Sequence, residues 1–238
     1  MKSGADAIRR IIDDELIVNI MTHSNTEFAL PLFHALGDRL VYVRLTRCPM
    51  NEYMLDHLER WSKRWGSDVR TGMLLHKNNA NEHNSETPFF MLNHEEEYLQ
   101  SMPLEKAVLM LKQWQRMGDS MVDKFKNTSI AKIIEIPFEK FVFDPNVYLQ
   151  DIAIALDTSI DSVTKKMMRK QRVPRKSLTD APYQKTYAKY GWIAPKQHLT
   201  FTEEFNATRT LFQDKLSPDS MNLLDDISNE YIQRHHLL

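Results

Sequence analysis

Three short, nearly unbroken apolar runs constrain this chain most: LIVNIM at 16–21, LVYVRL at 40–45 and IAKIIEI at 130–136. Runs this short and this rich in β-branched residues predict buried strands. A continuous rather than alternating apolar pattern predicts strands covered on both faces, as in a parallel sheet flanked by helices. Pro137 marks the end of the third run, because proline cannot donate to a strand ladder. With only three such runs, the expected sheet is small.

Helical patterns fill the rest. From Leu104 the apolar positions fall at Ala107, Val108, Leu111, Trp114, Met121, Val122 and Phe125, which predicts an amphipathic helix with one buried stripe. Pro145 is expected in the first turn of a further helix, with Asp144 as its cap and Tyr148, Leu149, Ile152, Ala153 and Leu156 turned inward. Ser217-Pro218 predicts the start of a closing helix, with His235-His236 in a frayed tail. Between Trp65 and Phe89 the stretch HKNNANEHNSETP lacks periodicity and predicts a long surface loop. No repeat or low-complexity linker interrupts the pattern. The expectation is a single α/β domain over 1–238, with an inserted loop and helix region at 66–103 and a C-terminal helical region at 200–238.

The bulk numbers narrow the partners. The chain has 238 residues, 42% hydrophobic and 26% charged, with a net charge of −1. That is a folded chain with no global field to draw it to nucleic acid or membrane. One cysteine, Cys48, excludes an intramolecular disulfide and suits a reducing compartment. The charged start lacks the apolar segment of a signal peptide, and no run approaches the ~20 residues of a membrane helix. A soluble, cytoplasmic protein with no membrane or nucleic-acid partner is expected. The thirteen methionines are read as core fillers.

Four places carry candidate chemistry. Lys2-Ser3-Gly4 leads into a helical pattern, which is the form of an anion-binding loop. Such loops follow a buried strand, and none precedes this one. His23 stands at the carboxyl end of the first run, where α/β sheets place ligands and where imidazole can take a proton from a hydroxyl; a turn-capping histidine is the plainer reading. Arg47 stands at the end of the second run, before Pro49. It can grip a phosphate with paired charge-assisted bonds or form an ion pair with a neighbouring carboxylate. Arg44, on the opposite strand face, is read as structural. Finally, KKMMRKQRVPRK at 165–176 holds seven basic residues and no acidic one. Cations near a helix C-terminus each gain roughly 0.3–1 kcal/mol from the dipole, so part of this cluster needs no ligand. Beyond Pro174, Arg175 and Lys176 fall in a loop able to wrap a phosphate. A nucleic-acid reading has no aromatic residues among the charges to support it.

Other chemistries lack their motifs. The chain contains no HExxH, CxxC or GxSxG, and its nine histidines are scattered, so no metal site and no nucleophile elbow is expected. Cys48, between Arg47 and Pro49, is read as a small residue at a turn.

In order along the chain, five stretches resemble the sulfotransferase family, which moves a sulfuryl group from 3′-phosphoadenosine 5′-phosphosulfate (PAPS) to a hydroxyl or amine. They are Lys2-Ser3-Gly4, Met21-Thr22-His23, Arg47-Cys48-Pro49, Phe138-Glu139-Lys140-Phe141 with Asp144-Pro145, and Arg175-Lys176-Ser177. The resemblance runs from residue 2 to about 176. It implies a P-loop-type three-layer fold whose first strand, before Lys2, would be missing from a truncated chain. It further implies PAPS as co-substrate and a small-molecule or glycan acceptor, without a metal. Arg47, Phe138, Arg175 and Lys176 would hold the nucleotide's 3′ side. Lys2, Ser3 and Gly4 would hold its 5′ end, His23 would be the general base, and Lys2 would offset charge on the bridging oxygen.

The chain departs from the family pattern at several of these positions. Met21 replaces the lysine of K-T-H, Ala5 and Asp6 replace threonines, and Leu55 replaces a serine that joins the arginine at the 3′-phosphate. Phe138 replaces a tyrosine, and no glycine pattern follows Arg175-Lys176. Two alternatives remain open: a non-catalytic sulfotransferase-like nucleotide-binding module, and a nucleic-acid-binding protein using 165–176.

Overall fold

The computed structural model describes residues 30–64, 73–77, 84–126, 128, 131–179 and 200–238, with isolated positions at 5, 9, 13 and 189. The first apolar run, 16–21, and the candidates Lys2, Ser3, Gly4, Met21 and His23 lie outside the described residues.

Helix α1 (Leu30–Leu36) ends in a tight turn at Gly37. There φ is 58°, a left-handed conformation that glycine adopts without steric cost. Strand β1 (Val41–Thr46) follows, then α2 (Glu52–Arg64). The buried Asn51 starts α2, its side-chain oxygen accepting from Met54 N at 3.0 Å. Strands β2 (Met73–Lys77) and β3 (Asn84–Pro88) pair antiparallel. The short α3 (Glu95–Gln100) leads into the 24-residue α4 (Pro103–Lys126) and then β4 (Lys132–Pro137). After the single turn α5 (Phe138–Phe141) come α6 (Asn146–Ala155), α7 (Ser162–Lys170), α8 (Phe201–Phe212) and α9 (Pro218–His235). The described chain is thus mostly helical around a small parallel sheet, an α/β architecture.

β1 and β4 pair in parallel from Val41↔Lys132 to Thr46↔Pro137. Both strands anticipated at these places are present. The sheet face carrying Tyr42 and Arg44 packs on α1 and α4: Phe33, Met121 and Phe125 form a cluster with Tyr42 and Ile133, and Arg44 pairs with Asp119 of α4. The other face corrects the expectation of full coverage. α6 contacts both strands, yet Val43 and Leu45 are 42% and 61% exposed. Among the described residues, one short helix packs on this face, too narrow to cover both strands.

The main core surrounds α4. Its N-terminal half is buried on nearly every side, from Leu104 through Leu111, rather than along a single stripe. The reason is that α2 and α9 both pack on α4. Leu55 of α2, Met110 of α4 and Leu224 of α9 are fully buried. Truncating any such side chain to alanine costs roughly 2–5 kcal/mol. Three further expectations change. The polar stretch at 76–88 is not all loop, because its ends belong to the β2–β3 hairpin. Pro145 sits at the N-cap rather than in the first turn, and Asp144 accepts from Asn146 N at 3.2 Å. His235 is not frayed: it is the last helical residue of α9 and is only 8% exposed. Among the described residues no helix is long and apolar enough to cross a membrane.

Candidate functional site

The parallel register ends both strands at one level, Thr46 opposite Pro137. The residues leaving them, Arg47-Cys48 and Phe138-Glu139, are therefore neighbours. The Glu139 side chain holds the two exits together. One carboxylate oxygen accepts from Cys48 N at 2.9 Å, and the other accepts from Tyr231 on α9 at 2.7 Å. Glu139 is 3% exposed, and burial raises its carboxyl above the ordinary glutamate range. Burial first, then the Glu139 charge, pushes the Cys48 thiol up. A thiolate at Cys48 is disfavoured, which leaves it the small turn residue anticipated. Tyr231 and His235 both approach Thr46 Oγ1, at 3.5 and 3.4 Å, and burial lowers the His235 imidazole.

Above this staple two arginines meet on one aromatic ring. The guanidinium carbon of Arg47 lies 4.4 Å from the centroid of Phe138, and that of Arg175 lies 5.4 Å from the same centroid. Both are within cation–π range. Arg175 is fixed by its own backbone, whose N–H donates to Val142 O at 2.7 Å; one Nη donates to Leu178 O at 3.2 Å. Arg47 donates from Nη2 to Glu204 Oε1 on α8 at 2.7 Å, while its Nε has no hydrogen-bond partner among the described residues. Its side chain is 19% exposed against 4% for Glu204.

The structure thus brings together Arg47, Phe138 and Arg175, which are far apart in sequence. Lys176, the next residue, is exposed. Lys2, Ser3, Gly4 and His23 lie outside the described residues. Leu55 is fully buried in the main core and presents nothing to an anion. Arg44 has the structural role anticipated, bonded to Asp119 and to Glu135 at 2.9 Å, with Arg234 completing the cluster at 3.0 Å from Glu135.

Sequence reasoning missed Glu204, Tyr231 and His235. Each had a local signal. Phe201, Glu204, Thr208 and Phe212 recur at helical spacing and are all buried, so Glu204 is a carboxylate on a core stripe. Such a group needs a cation. His235 lies one turn beyond Tyr231 on the buried face of α9.

Chemically, the Phe138 ring holds two guanidinium groups close to it, and the buried Glu204 carboxylate offsets the charge of one of them. No protein-family model matches this chain, and neither does any curated protein or solved structure.

Proposed function

We propose that this chain binds PAPS and transfers its sulfuryl group to a hydroxyl or amine acceptor, on a P-loop-type fold. The observation that supports the reading is the meeting of Arg47 and Arg175 on the Phe138 ring. These residues come from three of the five family-like stretches, the ones that the resemblance assigns to the nucleotide's 3′ side. The donor set fits a 3′-phosphate: a guanidinium offers a fork matched to phosphate, and the buried Arg47 Nε has no acceptor among the described residues.

In this reading Arg47, Arg175 and Lys176 hold the 3′-phosphate, and Phe138 keeps the two forks oriented. Lys2, Ser3 and Gly4 hold the 5′ end. His23 takes the acceptor's proton as its oxygen or nitrogen attacks sulfur, the bond from sulfur to the bridging oxygen breaks, and adenosine 3′,5′-bisphosphate leaves with Lys2 offsetting the charge on that oxygen. The nucleotide supplies the sulfuryl group; positioning and electrostatics supply most of the rate.

One observation favours a second reading. Arg47 already pairs with Glu204, so part of its charge is satisfied within the fold. That arrangement suits a non-catalytic module which keeps the nucleotide seat and has lost turnover.

Transfer of labelled sulfate from PAPS to a panel of phenols, alcohols, amines and glycans separates the two. Incorporation that is lost in His23→Ala supports the enzyme. Nucleotide binding with no incorporation supports the module. Neither binding nor incorporation removes both.

A further inference from the structure

We propose that α7 docks this protein onto an anionic phospholipid surface. Among the residues of this helix only Thr164 and Met168 are even half-buried; the others are exposed. Its outward face follows the spacing i, i+3, i+4, i+7 and consists of Val163, Lys166, Met167 and Lys170. Val163 is 62% and Met167 46% exposed. Two aliphatic side chains flanked by two lysines on one helical face is the pattern of an interfacial helix. The aliphatic groups enter the acyl boundary, and the lysine stems run back to the headgroups.

Charge and shape both select the occupant. The helix itself carries Lys165, Lys166, Arg169 and Lys170 and no acidic residue. The carboxylate at the helix start, Asp161, is engaged in capping Thr164 N at 2.7 Å. On the opposite side of α7, Lys165 and Arg169 face an open groove of about 650 Å³ shared with Asn146 and Gln150 of α6. That groove can receive a phosphate headgroup. On α6, Val147 and Ile154 are also 59% and 66% exposed, so apolar side chains recur on the adjacent helix. Contacts to a phosphate backbone make no use of exposed aliphatics, and 162–176 contains no aromatic residue on which a base could stack. The expectation of no membrane partner rested on net charge and the lack of a spanning segment. Neither bears on a local basic face. This proposal does not depend on the nucleotide reading.

Co-sedimentation of the full chain with vesicles of phosphatidylcholine, with and without one quarter phosphatidylserine, tests it. Binding is expected only with phosphatidylserine and should decline as salt rises. Each lysine near such a surface is worth about fivefold in affinity. Lys166→Glu with Lys170→Glu should therefore weaken binding more than tenfold, and Val163→Ser with Met167→Ser several-fold. These side chains are exposed, so the variants keep the fold. Absence of binding to phosphatidylserine vesicles overturns the proposal. So does salt-dependent binding to a single-stranded oligonucleotide as well as to vesicles, with Val163→Ser/Met167→Ser without effect; that result marks a general polyanion site.

Discussion

Arg47 and Glu204 join the exit of β1 to α8 through a 2.7 Å ion pair in which the acid is almost wholly buried. A buried carboxylate without its cation is costly, and breaking a fully buried pair is worth about 3–5 kcal/mol. Because Arg47 keeps partial solvent contact, Arg47→Met should lose about 2–3 kcal/mol, with Glu204→Gln/Arg47→Met recovering part of that loss. Urea denaturation of the two variants checks it. A neutral single variant would mean that the pair contributes nothing to the fold.

The Phe138 ring carries two guanidinium groups at 4.4 and 5.4 Å. Phe138→Leu keeps an apolar side chain of similar reach but removes the π face. Two partly exposed cation–π contacts predict a loss of about 1–2 kcal/mol, read from the same denaturation midpoints. Phe138→Tyr should be close to neutral, since it retains the face.

Gly118 lies within α4, where alanine is intrinsically better by about 1 kcal/mol. A Cβ there would overlap the Arg44 guanidinium, which is buried and held by Asp119 and Glu135. Gly118→Ala is therefore expected to destabilise, by about 1–3 kcal/mol net. A stabilised variant would show that the Arg44 cluster yields without cost.

Much of this frame was legible before any coordinates. β1 and β4 stood out because β-branched runs have few other uses, and α9 because Ser217-Pro218 is a strong helix start. The β2–β3 hairpin was not legible. NSETP offers no apolar alternation, and its pairing is made by backbone groups that carry no side-chain signature. Arg47, Phe138 and Arg175, which the structure brings together, were singled out by short motifs taken in order. Glu204 escaped because a charge on a core stripe is recognisable only once the stripe itself is known. His235 escaped because a terminal pair of histidines looks like a tail until Tyr231, one turn earlier, is seen to be buried.

Glu139 should give the fold a distinctive pH response. Its folded carboxyl titrates above the ordinary glutamate range because it is buried. The native state then holds this proton more tightly than the unfolded state does. The contribution to stability is present below the unfolded value and is lost as pH rises through the folded one. Glu139→Gln lacks this loss. The stability of wild type relative to Glu139→Gln should accordingly fall as pH rises from the ordinary glutamate range through the raised folded value, measured by urea midpoints at each pH. A gap that is constant, or that moves the other way, would show that the Cys48 and Tyr231 hydrogen bonds outweigh burial.

The central claim is that Arg47 and Arg175 form one seat for a 3′-phosphate. Titration calorimetry with adenosine 3′,5′-bisphosphate and adenosine 5′-monophosphate tests it most directly. The bisphosphate should bind at least about tenfold more tightly, since charge-assisted bonds to a phosphate contribute on the order of 1.5–3 kcal/mol each. Arg175→Ala should abolish that preference. Equal affinity for the two nucleotides, or a preference that survives Arg175→Ala, would contradict the account.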